Sequence, residues 1–177
     1  MPSEEMMVPV MEMRLTVLLL ACFVCTQAVR LRALEKKLKE QQVAFSASLL
    51  VTGSGNQGPY KAAITLIFKH VFTNIEKAYN SNTGVFTAPL KGAYHFEIQV
   101  YGVGGSHATG AALVLNSHPI CAAYEYSHGH GTAGTSNGVS LALQKGDVVF
   151  VRLLQHNHIF DNSYRHSTFS GHLLFTM

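Results

Sequence analysis

Four histidines hold the spacing most suggestive of chemistry: His128 and His130 flank Gly129, and His156 and His158 flank Asn157. Residues i and i+2 of an extended strand present their side chains on one face, so each pair could offer two imidazoles to a metal or a proton. Zinc takes about four ligands in structural sites, and a pair supplies two. A site would therefore need copies of the chain gathered around a symmetry axis. The simpler account makes all four soluble polar groups at loop tips beside Gly, Asn and Asp. On that account no resident metal is expected, and His128, His130, His156 and His158 are the residues to examine for one.

Other reactive combinations fail on their residues. Ser and His are plentiful, but Asp147 and Asp161 are the only aspartates, and no G-x-S-x-G elbow occurs. There is no H-E-x-x-H, and no strand carries a carboxylate pair suited to glycoside chemistry. The glycine-rich run Gly102-Val103-Gly104-Gly105-Ser106 lacks the lysine of a phosphate-binding loop. Cys22 and Cys25 have redox or zinc spacing, yet they lie inside or beside an apolar run, where they read as small apolar residues. The sequence is read as that of a protein without catalytic activity.

That apolar run defines the first segment. Residues 15–24 (LTVLLLACFV) are apolar apart from Thr16. Their length suits the core of a secretory signal and is about half of the ~20 residues needed to cross a bilayer. Thr26-Gln27-Ala28 offers a cleavage site, so residues 1–28 are assigned to a signal peptide and the mature protein to the extracellular space, without a membrane span. Acidic Glu4, Glu5 and Glu12 precede a lone Arg14, and a start at Met13 would give a better signal. Cleavage after residue 28 would leave 12 Lys+Arg against 7 Asp+Glu and a net charge near +5. It would also leave Cys121 as the one cysteine, read as a buried free thiol in the apolar run 119–123.

Residues 29–44 form a short helical stalk: Leu31, Leu34 and Leu38 follow 3–4 spacing, and Glu35 precedes Lys39 by four. From Phe45 to Met177 the pattern is all-β. Tyr94, Phe96, Ile98 and Val100 alternate with His95, Glu97 and Gln99, which places the first set on a core. Further apolar runs at 44–51, 62–68, 111–115, 139–143, 148–154 and 169–175 are separated by Gly, Asn and Ser. Residues 148–154 are apolar on both faces, so the second face needs a cover, and a second subunit is an economical one. With 47% hydrophobic and only 13% charged residues, the chain of 177 is not disordered; 15 glycines are far too few for collagen. A net charge of +3 without a concentrated basic patch makes nucleic acid an unneeded partner.

The run FTNIEKAYNSNTGVFTAPLKGAYHF (72–96), with SNGV (136–139), LQKGDVV (143–149) and STFSGHLLF (167–175), resembles the globular-head domain of the C1q family. Within that family the SNGV and STFSG elements are most similar to the cerebellin-like branch and to C1q-like secreted proteins without a collagen stalk. The resemblance runs through about residues 45–177. It implies a ten-stranded jelly-roll sandwich of the kind shared with tumour necrosis factor, assembled as a homotrimer. Some such trimers hold calcium through acidic residues in the loop before the SNGV strand. Here residues 127–136 contain no carboxylate and Glu125 is the nearest acid, a departure that argues against calcium.

The expected function is a secreted, non-catalytic trimeric module that recognises an extracellular protein or cell-surface glycan through loops at the ends of the sandwich. The loops singled out are 102–109, 128–135 and 156–165, with His107, His128, His130, Thr132, His156, His158 and Arg165 as candidate contact residues. The alternatives are an innate-immune head that binds microbial or damaged-cell surfaces and a cytokine-like receptor ligand. Gly84 and Gly92, each preceding a strand, are read as turn glycines with positive φ.

Overall fold

The computed structural model describes residues 4–40, 42–126 and 131–177. The chain divides into two compact units, Met1–Glu40 and Gln41–Met177. The first is a single helix, α1 (Glu4–Glu40), so the apolar run and residues 29–40 of the expected stalk are one continuous helix, whereas Ala44, placed at the end of that stalk, opens the first strand. Within it, Met13–Lys39 has a mean hydropathy of 1.8 and is long and apolar enough to cross a membrane by length and composition. Its side chains are exposed, from Leu15 and Leu18 through Leu38.

The second unit is built entirely of β-strands. In chain order these are β1 (Ala44–Ser48), β2 (Gly55–Gln57), β3 (Ile64–Thr65), β4 (His70–Ile75), β5 (Tyr79–Asn80), β6 (Val85–Thr87), β7 (Gly92–Val103), β8 (Thr109–Leu115), β9 (His118–Glu125), β10 (Thr132–Leu143), β11 (Val148–Leu153), β12 (Ile159–Asp161) and β13 (Thr168–Thr176). One sheet runs β10-β7-β13-β1-β4 and the other β5-β6-β11-β8-β9, with β3 added on β11. These two paths account for ten strands; β3 and the separate β2–β12 ribbon are short additions. All pairings are antiparallel, as expected for strands joined by short turns.

The alternation read in β7 sets the core. Tyr94, Phe96, Ile98 and Val100 are buried, while Glu97 and Gln99 are exposed and His95 is half-exposed. Phe45 from β1 meets four rings: it stacks on Tyr79 and Phe86 at 4.9 and 5.2 Å, meets Phe169 edge-on at 4.8 Å and lies tilted to Phe96 at 6.5 Å. Stacked and edge-to-face pairs of this kind add to the burial of apolar surface. The rings come from β1, β5, β6, β7 and β13, so this cluster ties both sheets together.

Four sequence expectations change in the folded chain, while that for Gly84 holds. Gly84 does turn with φ +76°, and a Cβ there would sit 2.1 Å from the Leu66 carbonyl oxygen. Gly92 shows no such φ; it lies within β7, where a Cβ would strike the Leu173 side chain and the Phe175 carbonyl oxygen, each at 2.6 Å. Residues 148–153 bury Val149, Val151 and Leu153, whereas Phe150 on the other face is half-exposed and carries the Arg152 guanidinium 5.4 Å from its ring centre. The outer face of β11 is thus capped in part by its own cation. The run 62–68 forms only the two-residue β3, and residues 119–122 are exposed or half-exposed along β9, at the sheet edge.

Candidate functional site

The ends of β7, β8, β9 and β10 meet at one end of the sandwich and leave a cavity of about 350 Å³. Its wall is made by Gly102 and Gly104, His107 and Thr109, Glu125 and Tyr126, the 131–134 segment opening β10, and His158. Three residues singled out in the sequence (His107, Thr132 and His158) therefore line one space, from three separate stretches of chain. His156 and Arg165 do not line it, and His128 and His130 lie outside the described residues.

The His156/His158 pair does not share a face. His156 takes a left-handed backbone, φ 61°, its N–H donating to the Tyr60 carbonyl at 2.9 Å, and its side chain is exposed. That turn breaks the extended geometry on which i and i+2 alignment depends. His158 is 6% exposed; its backbone N–H donates to Ala108 O at 3.0 Å, which draws the residue in beside the 107–109 segment. It is therefore a buried imidazole and not a loop-tip group. Burial first, and then electrostatic repulsion from the His107 side chain, hold its pKa below the ordinary 6.5; hydrogen bonding with the backbone of Ala108, Gly104 and Val103 pulls the other way.

Close packing behind the cavity depends on glycine. A Cβ on Gly102 would fall 1.9 Å from the Thr109 hydroxyl oxygen and 3.2 Å from His158 Nε2. Among the described residues, Asn157 Oδ1 and His158 Nε2 are buried side-chain atoms without a hydrogen-bond partner, on adjacent residues. Each such atom costs about 1–3 kcal/mol if nothing satisfies it. Asn157 is held from its other end, its Nδ2 donating to the Gln155 carbonyl at 2.8 Å.

Arg165 has a different task. Its guanidinium donates to the carbonyls of Leu50 and, at 2.9 Å, Val51, fastening the loop after β12 to the chain beyond β1. Asp161, fully buried, accepts from Leu50 N at 3.1 Å and Ser167 N at 3.4 Å, completing the same knot. Cys121 is a free thiol on β9, half-buried and not fully enclosed, and desolvation raises its pKa, which keeps it in the less reactive thiol form.

No three His, Cys, Asp or Glu side chains converge on a point among the described residues. Glu125 supplies one carboxylate to the cavity wall, short of the six or so oxygens that calcium gathers. Thr109 and Tyr126 were not among the residues picked from the sequence. The Tyr124-Glu125-Tyr126 triplet closing an apolar strand was the available signal for Tyr126; a lone threonine before Gly110 gave none.

Two antiparallel sheets with this strand order, closed over a shared aromatic core, define a jelly-roll β-sandwich of the C1q and tumour necrosis factor kind. The C1q domain family model matches residues 44–174, and the chain belongs to that family. Solved structures agree on the fold. The globular domain of zebrafish complement 1qA is 21% identical, with a TM-score of 0.58 over 76% of this chain and 99% of that one. The Eiger TNF of S. frugiperda is 12% identical, with a TM-score of 0.62 over 77% and 95%. Murine APRIL is 9% identical, with a TM-score of 0.58 over 75% and 99%. Families of this fold are in general binding modules and not enzymes.

Proposed function

We propose that this chain is a secreted, non-catalytic binding module of the cerebellin-like or C1q-like type, which acts as a homotrimer and recognises an extracellular partner through the loops at one end of its sandwich. The observation that carries the reading is apolar surface left open on the folded unit. On β13 Leu174 and Phe175 are 48% and 59% exposed, and on the edge strand β9 Ile120 and Tyr124 are 37% and 38% exposed. Large apolar side chains at two sites on a β-sandwich favour cover by further copies, and a closed ring satisfies every copy alike.

Secretion is supported by the apolar helix near the N-terminus. Three heads in one particle would turn a weak single contact into a strong one. Light scattering on the protein recovered from the medium of expressing cells tests the assembly. Three chain masses per particle are expected, and a monomer at micromolar concentration would overturn it. N-terminal sequencing of the same sample is expected to begin at Val29; a product retained in the cell membrane would overturn secretion.

A further inference from the structure

Residues 29–40 carry five Lys/Arg against two Glu, whereas residues 41–177 carry seven Lys/Arg against five Asp/Glu over a stretch more than ten times as long. No run of more than two basic residues occurs there, so the patch is not concentrated along the sequence; the helix concentrates it in space. Winding α1 stacks Lys37 over Arg30 and Lys39 over Arg32, each pair seven residues and about 10 Å apart. All four side chains are exposed. We infer that this part of α1, Arg30 to Lys39, is a docking surface for a linear sulfated polysaccharide. The inference goes beyond the loop-borne recognition proposed above and rests on that reading only for its extracellular setting.

Simpler duties do not use these cations up. Lys37 and Lys39 stand in the last turn, where cations complement the helix dipole. That effect fades within one turn and leaves Arg30 and Arg32, two turns earlier, without a role. Glu35 precedes Lys39 by four residues and offsets one charge. The arginines of the second unit are occupied differently: Arg165 is bonded to the Leu50 and Val51 carbonyls, and Arg152 lies over the Phe150 ring.

The residues around the two cation rows select the partner. Leu31, Leu34 and Leu38 are exposed on one side of the helix and span only about 60° of its circumference. A helix that beds into an apolar phase shows a face of ~100° or more, so an anionic bilayer is disfavoured. Residues 29–43 contain no aromatic side chain, which removes the usual interfacial anchor and also denies nucleic acid bases a stacking surface. A sulfated polysaccharide needs neither. It is long enough to touch both rows, its sulfates stay ionised wherever Lys and Arg are charged, and it releases counterions along its length as the cations replace them. Lys/Arg-rich stretches of this length suit such chains by charge alone.

The test is surface plasmon resonance on immobilised heparin, with unsulfated hyaluronan, duplex DNA and phosphatidylserine vesicles as the other probes. The protein is taken from the medium, or from detergent-solubilised membranes if cells retain it, so the measurement does not presuppose secretion. Heparin is expected to bind with a dissociation constant of about 1 µM at about 0.15 M salt and about tenfold or more weakly at about 0.5 M. Replacing Arg30, Arg32, Lys37 and Lys39 together by Gln, which keeps helix propensity, should weaken binding about tenfold or more. The pair Lys37→Gln and Lys39→Gln, remote from the cleavage site, should weaken it about threefold or more. Replacing the exposed Lys61, Lys69, Lys77 and Lys145 by Gln removes as many charges from the second unit and should leave binding within about twofold. Silence on heparin, equal weakening in the two fourfold variants, or tighter binding to hyaluronan, DNA or vesicles would overturn the proposal. A trimer that ignores heparin defeats this inference alone, whereas a monomer that binds heparin defeats only the assembly.

Discussion

The hydroxyl of Tyr79 closes a two-way link with the backbone of Phe68, donating to its carbonyl at 2.9 Å and accepting from its N–H at 3.1 Å. Both backbone groups lie in the core, where no solvent replaces the bond. Tyr79→Phe should therefore cost about 1–3 kcal/mol, read as a lower urea midpoint with an unchanged slope. Burial also pushes the Tyr79 phenol up to about 12 from 10, against a weaker opposing pull from the Phe68 backbone. The folded chain holds that proton more tightly than the unfolded one, so stability should fall as pH rises from 10 towards 12. Ultraviolet titration should show late-ionising tyrosines, since burial raises Tyr94 as well, and Tyr79→Phe should remove the step near 12.

Acid should act through His158. Its folded pKa is below the ordinary 6.5, so the unfolded chain takes up the proton first. Stability is then at its full value above 6.5 and declines as pH falls from 6.5 through the lowered folded value. Melting temperatures between pH 7 and 5 should drop in the wild type and drop less in His158→Gln. An equal slope in the variant would place the acid sensitivity on another histidine.

Phe45 should be among the costliest aromatics to truncate, since it meets four rings from β5, β6, β7 and β13, as many as Phe96 and Phe169 do. Phe45→Ala is expected to lower stability by about 3–5 kcal/mol in denaturant unfolding.

Gly84→Ala should destabilise by more than a simple helix or strand change would. Its φ of +76° disfavours an L side chain, and the new Cβ would press on the Leu66 carbonyl oxygen at 2.1 Å. About 1–3 kcal/mol is expected, with the melting curve still two-state.

Arg165→Ala should reduce stability by about 1.5–3 kcal/mol, because the guanidinium is spent on the carbonyls of Leu50 and Val51. Urea unfolding of the variant should read the loss as a lower midpoint. An unchanged midpoint would show that the two hydrogen bonds carry no net stability.

Much of the fold was legible because its signals are local. Alternation in residues 94–100 placed four core side chains correctly, since the period of a strand is fixed by backbone geometry. The spacing of aromatics and glycines across 72–96 was enough to mark the family. The candidate site was legible only in fragments. His107, Thr132 and His158 could be flagged as polar residues in loops, but each flag came from its own stretch of chain. Nothing local showed that 102–109, 131–134 and 158 would meet, or that Thr109, Glu125 and Tyr126 would join them.

The histidine pairs show the division most plainly. The sequence by itself determined strand positions, the apolar leader-like run and the aromatic set of the core, all of which follow from short-range periodicity. Only the tertiary structure decided that His156 turns outwards with φ 61° while His158 is buried against the end of β7. One left-handed residue undoes an i, i+2 alignment, and whether a turn takes that conformation depends on distant backbone partners: here the carbonyls of Tyr60 and Ala108. Those partners lie about fifty and about a hundred residues away in the chain, beyond the reach of any local pattern.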